Sequence, residues 1–275
     1  MSLPHGRRVA LSPARRLVVD LMWACRGVPL VAVDRRIDLS ELVAARQTAP
    51  VRPMWTVIFA KAFATVAAGE PVLRQSFIGF PWAHLYEHAE PVTAVTVQRE
   101  DGGVPVVFTT RLRRAHARPL TDLDAELRHA KGGPAEAVAA IRRARRLARL
   151  PRPLRRAALW LGLHASGRLR ERNAGTFAVT SVAAEGGGAL QPLSPLTATV
   201  HYGLFDAAGR LDLRLTFDHR VFDGATAARA LVAMERVLNG ALLAELRRPA
   251  ERNPQHGTET NEAVPIQTLH DGPRV

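Results

Sequence analysis

The sequence predicts an α+β fold, a sheet flanked by helices, on three observations. Apolar residues alternate with polar ones in short runs such as Leu213, Leu215 and Phe217, the period of a half-buried strand. Elsewhere apolar residues return every three and four positions, as in Ala227, Ala228, Leu231, Met234, Val237 and Leu238, the period of a helix face. The two patterns interleave along 275 residues that are 47% hydrophobic, enough for one large domain or two small ones.

Taken in order, residues 1–13 read as a loose arm. Leu17, Leu21 and Ala24 share one face of a first helix over 14–26, which Gly27 and Pro29 end. Leu30 to Asp38 alternates as a strand. Ser40 is a candidate cap for a helix over 41–46. Trp55 to Ala68 is apolar on all sides and predicts a buried helix stopped by Gly69. Phe77 to Tyr86 and Pro91 to Gln98 predict strands. Asp101-Gly102-Gly103 predicts a turn into a strand over 104–109, and Thr121 a cap for a helix through Arg128. Residues 175–182 and 193–203 add two β-rich segments around a glycine-rich turn at 185–188. No helix follows that turn with phosphate-loop spacing, so a nucleotide cradle is not expected. Residues 249–275 are polar, with scattered Pro, Gly and acids, and read as a flexible tail.

The chemistry concentrates in Arg214-Leu-Thr-Phe-Asp-His-Arg-Val-Phe-Asp-Gly224. The alternation ends at Asp218 and a helical period begins at Ala225. His219 therefore lies where a rigid frame presents a side chain to a cavity. Neutral imidazole is suited to taking a proton from a thiol or hydroxyl near pH 7. Of the flanking acids Asp218 and Asp223, one could fix a neighbouring cation or the local loop.

His-Arg-Val-Phe-Asp-Gly, with an apolar strand before it and an Ala-rich helix after it, resembles a known active-site segment. It is the His-x-x-x-Asp-Gly segment shared by chloramphenicol acetyltransferase and the catalytic domain of the 2-oxoacid dehydrogenase acyltransferases (dihydrolipoamide acyltransferases). Residues 215–229 look closer to the dehydrogenase branch. Gly175-Thr-Phe-Ala-Val-Thr-Ser likewise resembles that branch's Gly-Thr-Phe-Thr-Ile-Ser strand, and residues 14–244 follow the family's order of elements.

The resemblance implies a chloramphenicol acetyltransferase-like fold, a mixed sheet flanked by helices, in a homotrimer or an assembly of trimers. It implies a catalytic domain over 14–248 in which His219 is the base and Thr180, at the family's serine, holds the tetrahedral intermediate. Ser181 would face the other way along the strand. Asp223 would be structural, paired with Arg15 or Arg16, and Gly224 would complete the motif. The implied co-substrate is a coenzyme A thioester, with an acyl-carrier protein as the alternative donor, and no metal. No lipoyl domain, subunit-binding domain or Ala/Pro linker is legible, so a stand-alone acyltransferase is expected.

Charge adds to this picture. The chain carries 38 basic against 25 acidic residues, a net +13, which favours an anionic partner. Eight arginines fall between Arg142 and Arg156, inside a 135–172 segment longer than the family's connection. Pro151 and Pro153 split it into two helical pieces. Three roles compete for it: a solvated lid, a contact with an anionic membrane or lipid-like acyl chain, and a nucleic-acid contact. The last is disfavoured by the lack of a reader fold and of interleaved aromatics. Cys25, the only cysteine, rules out an intramolecular disulfide and reads as cytoplasmic. A non-catalytic trimeric scaffold and a membrane-surface binding protein stand as alternatives.

Overall fold

The computed structural model describes residues 6–101 and 104–248. The expected tail, the first five residues of the arm and the two glycines of the Asp-Gly-Gly turn lie outside the described residues.

The molecule is built on a mixed sheet of six strands. In chain order these are β1 (Leu30–Asp38), β4 (Val92–Asp101), β5 (Val104–Arg113), β6 (Phe177–Thr180), β7 (Ala198–Tyr202) and β8 (Arg210–Asp218), arranged β1-β8-β7-β6-β4-β5. The β4–β6 and β6–β7 pairs are parallel and the others antiparallel. A separate antiparallel hairpin, β2 (Gln75–Ile78) with β3 (His84–Glu87), lies beside it.

Helix α3 (Trp55–Gly69) packs on β4, β6 and β7. Its apolar residues are spread around the whole cylinder, so no face is left for water. Val57, Ile58, Phe59 and Phe63 are fully buried, each contributing roughly 1.5–3 kcal/mol of transfer free energy. Phe63 meets Phe177 edge-on at 4.6 Å, and Phe59 stacks on Tyr202 at 4.4 Å. The buried ammonium of Lys61 donates to Glu245 Oε2 at 2.6 Å. The other oxygen of Glu245 accepts the Leu120 N–H at 2.8 Å, satisfying the first turn of α4 (Leu120–Gly132).

Three local expectations are corrected. The predicted strand over Phe77 to Tyr86 is the β2–β3 hairpin, interrupted by Gly79-Phe80-Pro81-Trp82. Proline cannot continue a paired strand. Ser40 does not cap α2 (Ser40–Thr48); Asp38 Oδ1 accepts the Ser40 N–H at 3.0 Å instead. Thr121 does not cap α4, whose N-cap is Pro119.

The arginine-rich segment does split at its prolines, into α5 (Ala139–Arg149) and α6 (Arg152–Trp160). A turn over Leu161–Ala165 and α7 (Gly167–Asn173) follow. It is docked rather than free. α5 and α6 pack on α1 (Pro13–Cys25), whose buried Asp20 accepts from Arg155 Nε at 2.6 Å and Arg156 Nε at 2.8 Å. Burial works to raise the Asp20 carboxyl, but hydrogen bonds from Arg156 and Arg155 outweigh it and hold the group below the usual range. Gly167 closes α7 against the hairpin: a Cβ there would lie 2.1 Å from the Tyr86 ring, so only glycine permits the approach.

Candidate active site

The β8 strand alternates until Asp218, and the chain then turns through residues 219–221 into α8 (Gly224–Val237). Two carboxylates make that turn. Asp218 is fully buried and accepts the Arg220 N–H at 3.0 Å, its Nε–H at 2.9 Å and its Nη2–H at 2.8 Å. Asp223 adopts extended backbone and its Oδ1 accepts the Thr226 N–H at 2.8 Å, the N-cap of α8. The Thr226 amide first, then its hydroxyl, hold the Asp223 carboxyl below the usual range.

His219 sits between these anchors. Its backbone N–H donates to Pro29 O at 3.1 Å, fixing the turn to the start of β1. Its imidazole is exposed, makes no side-chain hydrogen bond among the described residues, and leans on Phe217 at 5.7 Å. Phe217 in turn stacks on Phe222 at 4.9 Å.

The expected pairing of Asp223 with Arg15 or Arg16 is not made within one chain. Both arginines are exposed on α1, and neither forms an ion pair with Asp223 among the described residues. The cation-holding acid is Asp218, whose partner Arg220 is two residues away. A chelate that short closes at little entropic cost. Gly224 opens α8, and a Cβ added there would meet nothing within 4 Å in this chain.

Thr180 ends β6, and its hydroxyl makes no hydrogen bond among the described residues. Ser181 is committed elsewhere: its Oγ donates to Tyr202 O at 2.8 Å and accepts the Ala183 N–H at 3.1 Å. Thr180 is in register with His201, which faces Arg214, whereas Phe177 and Ala198 are level with Phe217. At about 3.3 Å per residue Thr180 lies about 10 Å beyond the level of Phe217, and two strand spacings of about 4.8 Å separate β6 from β8. His219 and Thr180 thus occupy opposite ends of one sheet and do not meet within one chain.

Beneath the turn lies a residue that sequence reasoning missed. Arg170 of α7 is 1% exposed and donates to Phe77 O at 3.2 Å and to Pro195 O. Burial pushes its guanidinium down to about 10, with the nearby Asp218 charge acting the other way. Arg220 lies 4.3 Å over the Phe77 ring, so hairpin, α7 and the His219 turn share one support. Nothing in the sequence pattern of α7 marks Arg170, because its partners are backbone carbonyls from distant loops.

No protein-family model matches the chain, and no curated protein matches it by sequence. Solved structures do match. A probable dihydrolipoamide acetyltransferase from Listeria monocytogenes superposes with a TM-score of 0.61 at 16% identity, covering 85% of this chain and 94% of that one. The cubic core of a pyruvate dehydrogenase multienzyme complex matches with a TM-score of 0.59 at 20% identity, covering 88% and 94%. A dihydrolipoamide acetyltransferase of Azotobacter vinelandii matches with a TM-score of 0.60 at 19% identity, again covering 88% and 94%. The chain has the fold of these acetyltransferase cores. A serine, a histidine and an asparagine are named in the catalytic mechanism of the Azotobacter enzyme, and its histidine and asparagine are spaced as His219 and Asp223 are.

Among the described residues no group of three or more His, Cys, Asp or Glu side chains could hold a metal ion, and no helix is long and apolar enough to cross a membrane.

Proposed function

We propose that the chain is an acyltransferase that moves an acyl group from a thioester to a thiol, hydroxyl or amine, with His219 as the general base. The observation that carries this reading is an unpartnered imidazole displayed on a rigid strand-to-helix turn, in a fold like that of acetyltransferase cores. The imidazole takes the acceptor's proton. The acceptor attacks the thioester carbonyl, the C–S bond of the tetrahedral intermediate breaks, and the proton passes to the leaving thiolate. A positioned base of this kind is worth roughly 10²–10⁴ in rate.

The Thr180 hydroxyl is the proposed donor to the oxyanion. Its distance from His219 within one chain means that this pairing needs a neighbouring copy. The active assembly is therefore a homotrimer or an assembly of trimers, with His219 of one copy facing Thr180 of the next. A second copy would also use the open space beside Gly224. The donor is an acyl-CoA or an acyl-carrier protein, whose phosphates suit a net charge of +13. The Asp218–Arg220 chelate and the Asp223 cap position the turn without touching the reacting atoms.

A membrane-surface role is the second reading. Leu154 and Trp160 on α6, and Leu161 just past it, are exposed beside the arginines of α6, a combination that favours interfaces. The test offers acyl-CoAs of increasing chain length, with and without a dihydrolipoamide analogue, and follows free thiol. Transfer supports the proposal; silence with every donor, together with binding to anionic vesicles, replaces it by the second reading.

A further inference from the structure

Many of the described cations form no ion pair, and among these Arg111 and Arg143 are partly buried. The Arg111 side chain on β5 makes no hydrogen bond among the described residues, and its Nη1 is buried with no partner. Burial pushes its guanidinium down, and the neighbouring charges of Arg143, Arg113 and Arg172 push it further. Arg143 of α5 is lowered by burial and by Arg172 of α7. Arg143 donates to Asn173 and to the Arg172 carbonyl at 3.5 Å, so its own bonds are to neutral groups. Glu171, next to Arg172 on α7, is 3.9 Å from Arg113 and 3.2 Å from His88, and among the described residues it forms no ion pair with Arg111, Arg143 or Arg172.

These cations converge on one place. Arg111 is in register with Ala94, and Ala174, just past α7, packs on the cluster of Ala94, Ala178 and Leu196. α5 packs on β5. Holding several guanidinium groups together, partly out of water and without a carboxylate, costs free energy that an anion would recover. Planar guanidinium forks match the tetrahedral oxygens of phosphate in bidentate pairs. The site is separate from the catalytic turn: β5 lies four strand spacings from β8, about 19 Å across the sheet.

We infer that Arg111, Arg143 and Arg172 form a binding site for a phosphate group carried by a small molecule. The phosphate of a thioester donor is one source, an extension that rests on the acyltransfer reading, and free phosphate is the other. The test is thermal unfolding of the full chain in inorganic phosphate against chloride at equal ionic strength, repeated with CoA and with phosphate-free pantetheine. Phosphate should raise the Tm. Arg111→Met should unfold at a higher temperature than wild type in chloride, because a partly buried cation with an unpartnered Nη1 is gone, and should lose the phosphate response. Arg172→Gln, at an exposed position, should keep the wild-type Tm and bind phosphate at least about tenfold more weakly.

The inference is overturned if phosphate and chloride are equivalent for wild type, or if both variants keep the full response. If Arg111→Met does not fold, Arg172→Gln decides alone. Stabilisation by CoA but not by pantetheine assigns the donor's phosphate; stabilisation by inorganic phosphate but not by CoA assigns the free anion. Binding without thiol release from acyl-CoA keeps the site and removes the acyltransfer reading. Thiol release without any phosphate effect does the reverse.

Discussion

The turn that carries His219 and the arginine-rich segment handle charge in opposite ways. In the turn every charge is settled locally: Asp218 holds Arg220 two residues on, and Asp223 caps the helix through Thr226 three residues on. In the segment the settlements are mixed: Arg145 meets Glu136 nine positions away, Arg155 reaches Asp20 across 135 positions, and Arg111, Arg143 and Arg172 form no ion pair among the described residues. Local closure keeps the turn rigid while leaving the His219 ring free. Remote closure makes the segment a structural clamp and leaves cationic capacity for something outside the chain.

Breaking the turn's chemistry should give the largest effect. His219→Ala should lower thiol-release turnover by about 10²–10⁴ with an unchanged Tm, since the ring is exposed and makes no side-chain hydrogen bond. Near-normal transfer by that variant would reject the assignment. Next comes the clamp. Asp20→Ala strands Arg155 in a buried site, and the loss of one partner of a buried pair costs about 3–5 kcal/mol in denaturant unfolding. A loss under about 1 kcal/mol would mean that the segment is not held by this pair.

Acid should loosen the molecule in a more graded way. Burial lowers His88, His164 and His201 below the usual histidine value, with Glu171 opposing the shift at His88. The unfolded chain therefore takes up protons at higher pH than the native one. The contribution of these groups is complete above about pH 6.5 and is lost as pH falls through the lower folded values. Tm should decline from pH 7 toward pH 5; a flat series would contradict the depressed values. The smallest effect belongs to Asp223→Ala, which removes only a helix cap and should lower Tm slightly, with Asp223→Asn restoring it. A large loss at Asp223 would instead reveal an arginine partner supplied by another copy.

The same contrast explains what could be read in advance. β1 runs over Leu30–Asp38, as the alternation predicts, and α3 ends at Gly69. The strand-to-helix change around His219 was legible because both periods are strong and adjacent. The hairpin was misread as one strand although Pro81 stood inside it. The caps at Ser40 and Thr121 failed because a carboxylate from another element, Glu245, and the neighbouring Asp38 supply those contacts.

By itself, then, the sequence determined most of the helices and strands, the buried helix, the proline break and the place of His219 at a strand-to-helix change, all of which depend on residues within a few positions of one another. Only the tertiary structure decided that Asp218 rather than Asp223 holds an arginine, that Arg170 supports the turn from below, and that Thr180 stands at the far end of the sheet from His219. It also brought Arg111, Arg143 and Arg172 together from β5, α5 and α7. Periodicity reports which face of an element is apolar; strand order and register decide which faces and ends come to lie side by side.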